Sequence, residues 1–435
     1  MQHVCGVLVM ALLAPFLASA QSLPPSVILL RRIKDHLKRE FSALPNYTCL
    51  ETAQRLHKRP GPKSTLRSVD TVRLEVLNTG SRELYGAPGE SDFREDNPLA
   101  FSANGLAASG LFAGFVQTLF IHDNGIFTFQ GEQPVEGAAL RVRGNEDSAT
   151  RLLLPSRDAD WLAGRTIRYD YTVPLLSSGW NIQLAHDSGE VAMKGSVWVD
   201  ARSLDLVRLQ VQADDIPVTL QITGATIVLD YARTRIGEAD VLLPQSGEVS
   251  MEHKSGELSR NLLDYTHCRN FQAQSTMSFA VSEVRFDNAP ATQPAPRAES
   301  LPGGLVVNIR LSTALSETLA IGSPIEGTLA TAAADRGKVL IPAGAKVYGR
   351  IRRLDHSDQS GGFHIGLEFT KIRSERGGYR FYARLEAVTG GGVELFHESE
   401  AASRLPGVGF LFVRGATLAL RPGIQLAWKT RPLTQ

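Results

Sequence analysis

The chain has 435 residues, 43% of them apolar, and its 46 Lys and Arg nearly balance its 45 Asp and Glu. That length allows two or three domains with full cores. The charge balance names no partner class, and no nucleic acid is expected as one. Helical periodicity is scarce after residue 120 and strict alternation is common, which predicts a mainly β protein with two or three helices.

Residues 7–17 form a short apolar run, followed by Ala18-Ser19-Ala20 in the small-x-small pattern of a cleavage site. The expected product is a Sec-type bacterial signal cleaved after Ala20, although residues 1–4 bring no Lys or Arg. The alternative, a buried N-terminal helix, would be broken by Pro15. Cys5 precedes the apolar run and leaves with the signal. No later stretch of about 20 residues is apolar enough to span a bilayer. The mature chain is therefore expected in the periplasm or outside the cell, with no transmembrane segment.

Residues 25–44 read as one amphipathic helix, with Leu30, Ile33, Leu37, Phe41 and Leu44 on one stripe and Arg31, Arg32, Lys34, Lys38 and Arg39 mostly off it. Packing against the following sheet is the expectation, and lying on an anionic membrane surface is the alternative. Strands follow at 47–57, 69–77 and 82–86, with a turn at Pro88-Gly89. Residues 105–121 are small and apolar and predict a second, buried helix; the functional alternative is a lid over a lipid-binding cavity. Further strands are expected at 126–129 and 137–143.

In 166–173, Ile167, Tyr169, Tyr171 and Val173 share one face and Arg168, Asp170 and Thr172 the other, the pattern of a half-buried antiparallel strand. Strands 191–199 and 205–213 pair across Asp200–Ser203. The meander continues through 218–233, 240–252, 257–267 and 271–284, punctuated by Gly237, Gly247 and Gly256. Residues 288–303, rich in Pro and Ala, read as a linker. Strands resume over 304–430, with Gly377-Gly378 as a hairpin turn. The division is then 1–20 signal, 21–287 first β domain, 288–303 linker and 304–435 a compact β-barrel or sandwich.

Cys49 and Cys268 are the two thiols left after the signal, and in an oxidising compartment they predict a disulfide. That bond joins the start of the first β domain to its end.

The order Gly195-Ser196-Val197-Trp198-Val199-Asp200, Leu206-Val207-Arg208-Leu209, Leu229-Asp230-Tyr231 and Leu242-Leu243-Pro244 resembles periplasmic lipoprotein carriers and outer-membrane lipoprotein-sorting proteins. The resemblance covers about a hundred residues by sequence order. It implies a curved antiparallel half-barrel closed around a helix, with acyl chains on its concave face. Tyr169, Tyr171 and Trp198 are the candidate ligand-facing residues. The opening Leu44–Thr52 is similar to exported proteins of soil bacteria. Leu305–Leu311, Gly322–Gly327 and Val339–Gly349 resemble the TrbI-type conjugal-transfer domain, the outer-membrane-core β-barrel of type IV secretion systems. Two departures stand out: a cleavable signal replaces the family's membrane anchor, and the insertion Arg353–Gly362 is short and polar. The resemblance thus implies a small β-barrel in the envelope, not a secretion channel.

Catalytic signatures are absent. There is no G-x-S-x-G elbow, and Gly337-Lys338 lacks the rest of a phosphate loop. The 10 histidines are scattered without metal-ligand spacing. His122-Asp123, His186-Asp187 and His253 could meet only through folding, and a Cys268–His267 nucleophile competes with the disulfide. No catalytic residue, metal ligand or cofactor is assigned. Within Lys371–Arg384, the cations Lys371, Arg373, Arg380 and Arg384 lie among Tyr379, Phe381 and Tyr382. They form either a nucleic-acid or lipopolysaccharide surface or, as expected, the solvated face of a hairpin. The expected function is a non-enzymatic envelope protein holding a lipid or lipoprotein ligand in its first domain and an envelope protein partner through its barrel. The alternatives are a hydrolase with a site assembled from distant residues and an accessory part of a secretion assembly.

Overall fold

The computed structural model describes residues 23–80, 82–89, 93, 97–101, 106–135, 165–184, 187–271, 299–357, 360–375, 377–396 and 405–432. The export signal, the expected strand 137–143, nearly all of 271–284, His186 and residues 288–298 lie outside them. Strands dominate, as the alternation requires.

The first region begins with helix α1 (Pro25–Ser42), then β1 (Tyr47–Lys58), β2 (Arg67–Asn78) and β3 (Glu83–Gly86). A single helical turn, α2 (Gly114–Val116), precedes β4 (Ile126–Glu132) and β5 (Thr166–Val173). The turn α3 (Leu175–Ser178) leads to β6 (Trp180–Gln183). The meander β7 (Ser188–Asp200), β8 (Leu206–Asp214), β9 (Ile222–Ile236), β10 (Ala239–His253) and β11 (Leu258–Asn270) completes it. The strands form one antiparallel sheet in the order β3-β2-β1-β11-β10-β9-β8-β7-β5-β4, with β6 paired beside β7. The sheet curls into a half-barrel.

Alternation decides which face is inside. On β5, Ile167, Tyr169, Tyr171 and Val173 are buried in the concave core, with Met193, Val197, Leu209, Val211, Ile227 and Leu229 from the meander. Helix α1 crosses that face. Pro25 suits a first helical turn, and Ile33, Leu37 and Phe41 recur at helical spacing and are buried against the sheet. Two polar contacts hold it there, His36 with Asp205 at 2.8 Å and Arg233 with Glu40 at 3.2 Å, and Arg233 is itself fixed by Asp205 at 2.7 Å. Arg31, Arg32, Lys38 and Arg39 remain exposed while Lys34 is half-buried and paired with Asp123, so the packed arrangement is the one adopted.

Three local readings change. Residues 106–121 do not form one helix: α2 is three residues long and runs on as a π-turn over Gln117–Ile121. Gly110, at φ +77°, turns the chain where a helix would need a negative φ. Gly247 is not a turn glycine. It lies inside β10, where an added Cβ would come within 2.9 Å of Leu229 Cδ2 and 3.0 Å of the Val228 carbonyl. The turn α3 and strand β6 lack a readable period, being four residues each.

Cys49 and Cys268 are bonded, closing a separation of 219 residues. They staple neighbours rather than distant elements: β1 and β11 already pair, and the bond sits where the register shifts between Thr48 and Leu50. The bonded Cys268 supplies no thiol for a nucleophilic role beside His267.

The second region is a strongly curled sheet of short strands. Gly362–Ser374, Lys346–Ser357, Pro324–Leu329, Val306–Leu311, Gln425–Thr430 and Ala383–Thr389 are neighbours in that order. Gly409–Arg414 pairs back onto Gly362–Ser374 and packs beside Ala383–Thr389, which brings the ends of the curl together. Trp428 is fully buried at its centre, edge-on to Phe369 and Phe381. Two expectations shift. Ser374 pairs with Gly377, so Gly377 and Gly378 belong to the second strand of the hairpin rather than its turn. The described end of the expected linker is built in: Glu299 and Ser300 pair with Tyr379 and Arg380, and Leu301 is buried.

The two sheets touch along β2. Past β3 the outer edge of β2 would be open, and an open edge invites foreign pairing. Ile321 covers it, donating from its N–H to the Thr71 carbonyl and accepting from the Arg73 N–H, both at 2.8 Å. Its side chain joins the first core. Gly322 is required beside it, because a Cβ there would lie 2.2 Å from the Arg73 carbonyl oxygen. Arg352 adds a bond to the Ala100 carbonyl at 2.7 Å while pairing with Glu368.

Candidate functional site

The concave face is a trough whose cover is the segment 106–121. Leu111, Phe112, Phe115, Val116, Leu119 and Phe120 of that segment are all buried in the first core. Phe112 stacks edge-on against Tyr47 and Tyr265, Phe115 against Trp180, and Phe120 lies flat on Phe127. The cover thus reaches from β1 and β11 across to β4 and β6. Asn261 bonds the Leu106 carbonyl at 2.8 Å, and Gln117 bonds the Gly80 carbonyl at 2.6 Å, so both ends are tied to the sheet. Within 106–121, regular helical structure covers only Gly114–Ile121, and packing rather than helical hydrogen bonding holds the remainder.

Beneath the cover the floor is polar, which sequence alternation did not signal. Glu83 accepts from the N–H groups of Gly110 at 2.7 Å and Phe112 at 2.8 Å and from the Tyr85 hydroxyl at 3.0 Å. It is the clasp of the cover, and burial raises its carboxyl above the ordinary value against those hydrogen bonds. A cavity of about 220 Å³ opens beside it, lined by Asn78, Gly80, Arg82, Ser109 and Gln117 among others. Glu51 on β1 points to the same face, opposite Tyr265 of β11. Burial, reinforced by the nearby Glu83 charge, pushes its carboxyl up to about 8. A crevice of about 30 Å³ lies against it, between the sheet and residues 106–108.

The tyrosines complete the floor. Tyr47, Tyr85, Tyr171, Tyr231 and Tyr265 are buried, and burial holds each phenol above its ordinary value. Tyr169 donates to the Ser26 carbonyl of α1 at 2.8 Å, and Tyr171 to the Gln210 carbonyl at 2.9 Å. Gly195 makes the second bond possible, since a Cβ there would stand 1.9 Å from the Gln210 oxygen and 2.9 Å from the Tyr171 hydroxyl.

Of the three residues expected to face a ligand, Tyr169 and Tyr171 lie on the concave face. Trp198 does not join them: it is register-paired with Arg168, on the convex side, packed with Val135 and Val207. The period of two separates residue 198 from 197, whose side chain faces the trough. The motif residues Arg208 and Asp230 meet on that convex side as a buried ion pair at 2.5 Å. Lys371, Arg373 and Arg380 are exposed on one hairpin, Lys371 opposite Arg380. Arg384 stands apart, on the strand opposite Lys429 and 4.0 Å from Glu386. Among the described residues, no three His, Cys, Asp or Glu side chains are placed to share a metal ion. Also among them, no helix is long and apolar enough to cross a membrane.

No family model matches the chain, and no curated protein matches it. Solved structures do resemble it in part. A domain assigned to outer-membrane lipoprotein sorting from Vibrio parahaemolyticus aligns at 12% identity and TM-score 0.28, over 55% of this chain and 90% of that one. A DUF1329 family protein from Desulfovibrio piger aligns at 13% identity and TM-score 0.27, over 56% and 94%. A LolA superfamily protein from Nitrosomonas europaea aligns at 11% identity and TM-score 0.25, over 56% and 94%.

Proposed function

We propose that this is an exported, non-enzymatic envelope protein that holds an apolar chain in the concave trough of its half-barrel, with residues 106–121 as the displaceable cover. Residues 21–287 would then be the binding domain and 304–435 a barrel that meets an envelope partner. The exposed cations Lys371, Arg373 and Arg380 would lie on the barrel's contact face.

The carrying observation is how the trough is filled. Six apolar side chains of one half-irregular segment occupy it, two from its irregular half and four from its short helical half. An alkyl chain lying in the same place would satisfy the same walls, at roughly 0.8 kcal/mol per buried methylene. The cover's two terminal side-chain bonds and the Glu83 clasp are few enough to exchange. Loop segments held mainly by packing belong to the low-stability end of a fold.

The test is direct. The mature protein, purified without detergent, is extracted with organic solvent and analysed by mass spectrometry, and a fluorescent acyl probe is titrated into the stripped protein. A co-purifying lipid or saturable probe binding is expected. Absence of both overturns the carrier reading.

A further inference from the structure

Resting on that trough reading, we propose that the ligand is an amphiphile with an ammonium head, which Glu51 and the tyrosines around it receive once the cover lifts. Glu51 is 7% exposed and lines the crevice under residues 106–108. The hydroxyls of Tyr47, Tyr231 and Tyr265 are buried and without a partner. Buried polar groups are normally paired, so three unpaired phenols on the trough floor that also carries Glu51 point to something the apo fold does not supply.

The charge of that something follows from the neighbours. The cation on the same stretch of β1, Arg55, is taken by Asp70 through two bonds of 2.6 and 2.5 Å. Asn261 spends its amide on the cover. Glu83, the second carboxyl, adds negative potential. In the Glu51 crevice, whose one lining cation Arg55 is already paired, an anionic head would meet only a carboxyl group; Arg82 lines the separate cavity beside Glu83. An ammonium would meet a carboxylate, phenol oxygens and aromatic faces, the combination that recognises amines. The cover mimics only half of this ligand: its phenylalanines replace the chain, while its backbone N–H groups stand in for the head at Glu83 alone. On binding, Glu51 would release its proton and ionise against the ammonium.

The test compares hexadecylamine, hexadecanol and hexadecanoate, each titrated into the full mature chain, with proton release read from calorimetry in buffers of different ionisation enthalpy. The amine is expected to bind about tenfold or more tighter than the alcohol, from one charge-assisted bond, and to release a proton. Glu51→Gln should remove that preference and the proton release while leaving the alcohol's affinity alone. Tyr265→Phe, which keeps the ring, should reduce the preference by a smaller factor. If the alcohol binds as well as the amine, or the acid binds tightest, the head-group inference falls and the carrier reading stands. If none of the three binds, both fall.

Discussion

The barrel and the half-barrel bury the same kinds of aliphatic side chain but differ in what lies among them. In the barrel, Ile309, Ile351, Ile365, Leu367, Leu426 and Trp428 all come from its own strands and are essentially unexposed. Its buried charge, Arg352 with Glu368, sits at the contact with the first region rather than in the centre. In the half-barrel the strands close only partway, and the rest of the core is borrowed from α1 and the cover. Carboxyls and phenols lie directly beneath that cover. A core built mainly from its own strands has little to give up. A core completed by a loop over polar groups has more, and that contrast is the reason for proposing the first region as the binding one.

The sharpest way to break the contrast is to delete a large aromatic from each. Trp428→Ala removes the barrel's central ring and should cost about 3–5 kcal/mol, lowering the barrel's melting transition. Phe112→Ala in the cover should cost visibly less, because a loop can settle into the space it leaves while a closed barrel cannot. Equal losses in calorimetry would mean that the cover is as fixed as a strand.

Next in size is the disulfide. Replacing Cys49 and Cys268 by Ala should destabilise the half-barrel by about 2–4 kcal/mol, with the 219-residue loop setting the upper part of that range. The barrel's transition should move only as far as the Ile321 contact transmits the change. Two transitions that shift together would show that this contact makes the sheets one cooperative unit. Gly195→Ala follows at about 1–3 kcal/mol, from the collision with the Gln210 carbonyl. It should also break the Tyr171 bond, which hydrogen exchange on β8 would register.

These residues show where sequence reading succeeds and stops. The period of two placed Tyr169 and Tyr171 inward, and the same period, followed one residue further, puts Trp198 outward. The Cys49–Cys268 bond was legible from compartment and count. The cover was legible as buried but not as irregular, because small apolar residues satisfy a helix and a packed loop alike, and only the φ of Gly110 distinguishes them. The polar floor was hidden: Glu51, Glu83 and Tyr265 are far apart in sequence, and a glutamate on a strand ordinarily marks the solvent side. What brings them together is the pairing of β11 with β1 and of β2 with β3, which no local pattern encodes.

The effect with the shallowest slope at any one pH is also the most specific to the floor. In the fold, Glu51 keeps its proton up to about pH 8 because burial strips its carboxylate of water and Glu83 lies near. In the unfolded chain the same group ionises near the ordinary value of about 4.3. Between those values the unfolded state has released a proton that the folded state retains, so stability falls as pH rises, by at most about 1.4 kcal/mol per pH unit. Above the folded value both states are ionised and the fall from this group ends. Glu51→Gln carries no such proton, so its half-barrel transition should gain on the wild type steadily between about pH 5 and pH 8. In the barrel, Glu368 is held below the ordinary range despite burial, by Arg352 and Arg350. Its stabilising share is instead lost on acidification, as pH falls through its lowered value. The half-barrel is therefore expected to lose stability between about pH 5 and pH 8, and the barrel only at acid pH, below the ordinary carboxylate range. A half-barrel whose difference from the Gln variant stays constant with pH would mean that Glu51 is ionised in the fold and already partnered.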